Sequence, residues 1–87
     1  MDLKNFLDDK GRVVKWPAKK SMKIEVIQYI GQYFQQGRTY KEKEVNDIIN
    51  KWHTYGDYFM LRRGLVDYKI LARTRNGSAY WKLEEGE

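Results

Sequence analysis

Asn76-Gly77 stands between two short runs of strand-forming residues, Ile70–Arg75 and Ser78–Leu83, and no other feature restricts the fold of this chain so tightly. The dipeptide favours the positive φ angles of a two-residue type I′ turn, whose twist matches that of two antiparallel strands. The C-terminal part is therefore expected to close as a β-hairpin. A lone hairpin is marginal in water, so Leu71, Tyr80 or Trp81 must pack on other elements.

Those elements are helices. From about Lys19 to Gln35, Met22, Val26, Ile27, Ile30, Tyr33 and Phe34 share one face at helical period, and Gly37 is expected to end the segment. Pro17 holds Trp16 out of the α region, so the helix begins after it. Val45, Ile48, Ile49 and Trp52 recur at i, i+3, i+4 and i+7, giving a second helix to about Trp52, with Thr39 and Glu42 at capping-box spacing before it. Lys51 and His53 suit the negative end of its dipole. Thr54 and Asp57 mark the start of a third helix, which runs to about Asp67.

Arg38–Tyr40 reads as extended and can add a third strand beside the hairpin. Upstream, Asp8-Asp9-Lys10-Gly11 is a turn signal, followed by an extended Arg12–Trp16. The order helix, short strand, helix, helix, hairpin is that of a winged helix, an α+β fold whose second and third helices form a helix-turn-helix. Its 87 residues suffice for one domain, 1–87, with an N-terminal arm over 1–17 and a frayed acidic tail over 84–87.

Composition excludes several kinds of chemistry. With no cysteine and one histidine, disulfides, thiolate metal sites and multi-histidine sites within one chain are ruled out, and no cofactor is expected. The start, Met1-Asp2-Leu3-Lys4, lacks the pattern of a signal peptide, and no apolar run approaches the roughly 20 residues that span a bilayer. A soluble, cytoplasmic protein without membrane partners is the expectation. Net charge is +5, distributed as +4 over residues 1–23, −1 over 24–50, +5 over 51–82 and −3 over 83–87. Positive charge at both ends of the folded region fits a surface facing a polyanion.

The stretches FLDDKGRVVKWPAKK, RTYKEKEVNDII, KWHTYGDYFMLRRGLVDY and RTRNGSAYW resemble a small prokaryotic domain family of unknown function, domain of unknown function 2087. Trp52-His53-Thr54 and Leu61-Arg62-Arg63 are specific enough to carry the resemblance. The resemblance implies a winged-helix-like domain, found alone or appended to transcriptional regulators, with a suggested role in nucleic-acid binding. Two positions depart from the pattern. Gly64 stands where a helix-favouring acidic residue is usual, which costs about 1 kcal/mol of helix propensity relative to alanine. Lys69 stands where a helix-terminating glycine is common.

In a winged helix the third helix can enter the major groove while the wing reaches the backbone. The residues expected to contact nucleic acid are Arg73 and Arg75 before the wing tip, Lys82 after it, Arg63 on helix three, Lys51, and Lys15, Lys19 and Lys20 at the entrance to helix one. Arg73 and Arg75 alternate with Thr74 and so point to one side. Phosphate clamping is one reading of them; a hairpin edge charged against aggregation is the other. Arg62, on the flank of a core face formed by Tyr58, Leu61 and Leu65, is expected to be half-buried and ion-paired.

The opposite face of helix three carries Phe59, Met60, Arg63, Gly64 and Asp67, which offers few donors or acceptors for reading bases. Phe59 and Met60 point instead to an apolar cover. The N-terminal arm, through Phe6, Leu7, Val13, Val14 and Trp16, or a partner protein would supply it. Two functions follow: a module that binds duplex DNA mainly by its backbone, in transcription regulation, or a protein-interaction or homodimerisation module using Phe59 and Met60. His53, followed by Thr54, Tyr55 and Asp57, reads as a helix-end histidine. With no nucleophile motif, phosphate loop or paired carboxylates, no enzyme is expected.

Overall fold

A computed structural model describes residues 2–84; of the expected acidic tail, Glu85–Glu87 lie outside the described residues. The elements are α1 (Lys20–Gly31), β1 (Thr39–Tyr40), α2 (Glu42–Lys51), α3 (Tyr58–Asp67), β2 (Leu71–Arg73) and β3 (Tyr80–Lys82). A 3-10 turn at Leu3–Phe6 precedes them, its first N–H groups met in part by the Asp2 carboxylate. β3 lies between β1 and β2, antiparallel to both, with Tyr40 opposite Tyr80 and Ala72 opposite Trp81. Three helices closed by a three-stranded sheet in this order form a winged helix.

The periodic positions build the core. Val26, Ile27 and Ile30 of α1, Val45 and Ile49 of α2, and Leu61 and Leu65 of α3 meet Leu71, Tyr40 and Tyr80 from the sheet. Phe34 joins them, edge-on to Tyr40. Tyr33 stacks flat on Trp52 with ring centroids 3.7 Å apart, which joins α1 to the end of α2.

The N-terminal arm does not cover α3. It threads into the elbow between α2 and α3, where the fully buried Val13 receives the Thr54 N–H on its carbonyl (2.9 Å) and donates its own N–H to Trp52 O (2.8 Å). The preceding turn is pinned by Asp8, whose carboxylate accepts the N–H groups of Lys10 and Arg12 and pairs with Arg12 Nε at 2.8 Å. Tyr29 holds the turn from α1 by donating to Gly11 O at 2.6 Å.

Four local expectations need correction. Helix α1 ends at Gly31, four residues before Gln35, because the chain tightens into i−3 bonds (Tyr33 N–H to Ile30 O, Phe34 N–H to Gly31 O) that bring Phe34 into the core. Thr39 does not cap α2, since it pairs with Trp81 in the sheet; the Lys41 N–H is met by Glu44 Oε1 instead.

The wing tip is wider than a type I′ turn. Only Gly77 has positive φ there (+74°), and the Thr74 hydroxyl and Asn76 Oδ1 accept the Ser78 N–H, so the loop spans Arg75–Ser78. Finally, α3 is rotated from its expected face. Tyr58 is 40% exposed, whereas Met60 is half-buried against the core and Gly64 packs on Ile27.

The third helix ends as a glycine would end it. Lys69 adopts φ +64°, the Ile70 N–H bonds to Leu65 O and the Lys69 N–H to Val66 O. These are the two bonds of a Schellman motif, with lysine in its left-handed position.

Candidate nucleic-acid interface

Between α3, the first turn of α2 and the wing lies a groove of about 440 Å³. Its floor is a polar network. Tyr80 Oη donates to Glu42 Oε1 at 2.9 Å, and the same oxygen lies 3.7 Å from Arg62 Nη2. Arg62 Nη1 donates to Asn46 Oδ1 at 2.6 Å. With 14% of its side chain exposed, Arg62 is half-buried and paired, as its flanking position implies. Burial first, and then the bond to Glu42, holds the Tyr80 phenol above its ordinary pKa. One carboxylate thus ties the start of α2 to both α3 and the wing. Alternation across the hairpin puts Tyr80 and Arg73 on one face, but only the folded register brings them to Glu42.

Three side chains at this groove remain largely in solvent. Phe59 is 60% exposed. The side chain of Arg63 is 75% exposed, and its pairing with Asp67 at 3.6 Å is a surface i,i+4 contact worth little. Arg73, the last residue of β2, enters from the sheet, and its strongest contact is a 3.5 Å approach of Nη1 to Arg75 O. The Arg62 guanidinium lies 5.3 Å from the Phe59 ring centroid and so covers one side of that ring.

The other expected cations do not join this groove. The strand ends at Arg73, so the alternation argument does not reach Arg75, which is exposed in the turn. Lys82 reaches the turn that follows α1, where its ammonium donates to Phe34 O at 3.2 Å. Lys51 lies over the Trp52 ring and Lys15 over Phe6. Lys19 and Lys20 occupy the N-cap and first position of α1, whose first turn has no acidic residue. A larger groove of about 700 Å³ is lined by Gln28, Gln32, Gln36 and Leu83; its cations are Lys69 and Lys82.

His53 stays out of the groove. It is buried at the elbow, where Nε2 accepts the Asp57 N–H at 2.9 Å and Nδ1 bonds to Ile49 O at 2.7 Å. Among the described residues no group of three or more His, Cys, Asp or Glu is placed to hold a metal ion, and no helix is long and apolar enough to cross a membrane.

A sequence model for a family described as uncharacterized proteins conserved in bacteria, DUF2087, matches residues 12–82. The chain belongs to that family. The DUF2087 span covers Val13, the helix-turn-helix, the groove and the whole wing, and leaves out the Leu3–Phe6 turn and Asp8. Neither the curated proteins nor the solved structures yield a match.

Proposed function

We propose that this domain binds nucleic acid, duplex DNA in the first instance, by holding the phosphate backbone between α3 and the wing. The observation that carries the reading is the meeting of Arg63 and Arg73, from two separate elements, at one groove. Guanidinium groups suit phosphate because their forked donors match its oxygens. Arg75 at the wing tip and Lys15, Lys19 and Lys20 lie outside this groove and contribute only general attraction to a polyanion. Base reading is weak in this scheme, since α3 turns Phe59 rather than amide side chains outward. Such a module acts in the bacterial cytoplasm, in transcription regulation.

Protein docking through Phe59 is the second reading, and the observation favouring it is that exposed ring. It loses ground because Met60, the other half of the apolar pair, is turned toward the core.

Fluorescence anisotropy with a labelled duplex tests the first reading. Log K should fall linearly with log salt, by about 0.9 per phosphate neutralised, and the double substitution Arg63→Ala/Arg73→Ala should reduce that slope by about two. No binding to duplex or single strand at low salt would refute it. A dimer in sedimentation that Phe59→Asp dissociates would favour the second.

A further inference from the structure

We propose that Phe59 is a stacking surface for one unpaired base, so that nucleic acid with an extruded base binds this groove more tightly than fully paired duplex. The inference rests on the nucleic-acid reading above and names the form of ligand it prefers.

Its starting point is the company the ring keeps. Phe59 is the most exposed large hydrophobic among the described residues, and the groove it lines is mostly charged, with Arg62, Arg63 and Arg73 set against Glu42 and Asp67. Arg62 covers one of its sides and is itself fixed by Asn46 and Glu42, so the ring rests on a held support. The rest of the ring is open to the groove that Arg63 and Arg73 enter. An occupant must therefore offer a flat π surface to the ring and negative charge to the two guanidiniums. An apolar protein patch lacks the negative charge, whereas a nucleotide offers both, its base to Phe59 and its phosphate to Arg63 and Arg73.

Paired duplex cannot supply that π surface. The floor of its major groove presents only base edges, and the faces stay in the stack. A base face becomes available at a bulge, a mismatch or a single strand, where an aromatic side chain stacks on any of the four bases. Phosphate contacts alone would not distinguish a paired duplex from the same duplex with one bulged base. The ring does.

The test uses the 87-residue chain and three probes: a 20-base-pair duplex, the same duplex with one bulged base, and its single strand. The wild type should bind the bulged duplex about tenfold tighter than the paired one, the size of one base–aromatic stack. Phe59→Ala should remove that difference. Phe59→Trp should retain it, and the urea midpoint of each variant checks that the fold is intact. Equal affinity of the wild type for paired and bulged duplex overturns this inference and leaves the backbone-binding reading standing, as does a preference that survives Phe59→Ala. Failure to bind any of the three probes overturns both.

Discussion

Gly64 and Ile27 touch so closely that a β-carbon at position 64 would lie 2.7 Å from Ile27 Cδ1 and 3.3 Å from Cγ1. The α1–α3 crossing therefore needs a residue without a side chain, in a helix that would otherwise favour almost anything else. Gly64→Ala gains about 1 kcal/mol of helix propensity. It also forces the fully buried Ile27 out of place, and overpacking costs about 1–3 kcal/mol. The expected outcome is a net loss of about 1 kcal/mol, read from the urea midpoint. Gly31→Ala should lose more, because its new carbon would meet Ile70 Cγ2 at 2.6 Å, a methyl fixed by χ1.

Lys69 predicts the opposite sign. A left-handed lysine carries a conformational cost that glycine does not, and its side chain is exposed. Lys69→Gly should stabilise the domain by about 1 kcal/mol without altering its spectrum. Thermal unfolding checks this: a lowered midpoint would mean that the lysine side chain makes a contact worth more than the strain.

His53 joins two helices through one ring. Because Nε2 accepts from Asp57, the ring proton lies on Nδ1 and is donated to Ile49 O. His53→Ala leaves the N–H of the α3 N-cap without its partner and Ile49 O with the Trp52 N–H alone, and should cost about 2 kcal/mol. Nitrogen NMR of the imidazole should show the Nδ1–H tautomer. The opposite tautomer would contradict the geometry.

Asp8 predicts an acid-sensitive arm. The Arg12 backbone N–H above all, with the Arg12 side chain and the Lys10 N–H, holds its carboxyl below the ordinary value of 3.8. A lowered folded pKa means that its contribution to stability is present above about pH 4 and is lost as pH falls through the folded value. The Arg12 amide resonance, followed from pH 6 downward, should move with that titration. Asp8→Asn should abolish the movement.

A late alkaline transition is expected from the tyrosines. Burial, reinforced for Tyr29 by its bond to Tyr33, pushes both Tyr29 and Tyr55 up to about 12. Raised phenol pKa values stabilise the fold fully below pH 10, and that contribution disappears as pH rises through about 12. Absorbance at the phenolate band should show phenols resisting ionisation until the domain unfolds. Tyr29→Phe and Tyr55→Phe should each remove one from that late group.

The parts of this fold that could be read from the residues are those that local patterns dictate. Val45, Ile49 and Leu61 fall on buried faces because one side of a helix must meet a core. The errors arise where tertiary contacts override such patterns. The face of α3 is set by the close approach of Gly64 to Ile27, which no periodicity records, and so Tyr58 and Met60 exchange their expected places. The wing widens because the Thr74 hydroxyl takes backbone bonds that a two-residue turn would have closed itself. Arg63 and Arg73 were both visible as candidates, but their meeting depends on the sheet register. That register also brings Tyr80 to Glu42, a residue whose sequence position suggested only a helix cap.

Val13 gives the arm a mechanical consequence. Its N–H and carbonyl are bonded to Trp52 and Thr54 on either side of the elbow, so tension on the chain upstream is delivered to the joint between α2 and α3 and not dissipated in a slack tail. A force that draws this strand out must break both bonds and uncover a core position before it can stretch either helix. The joint that presents α3 is thereby held by a residue about 40 places earlier in the chain.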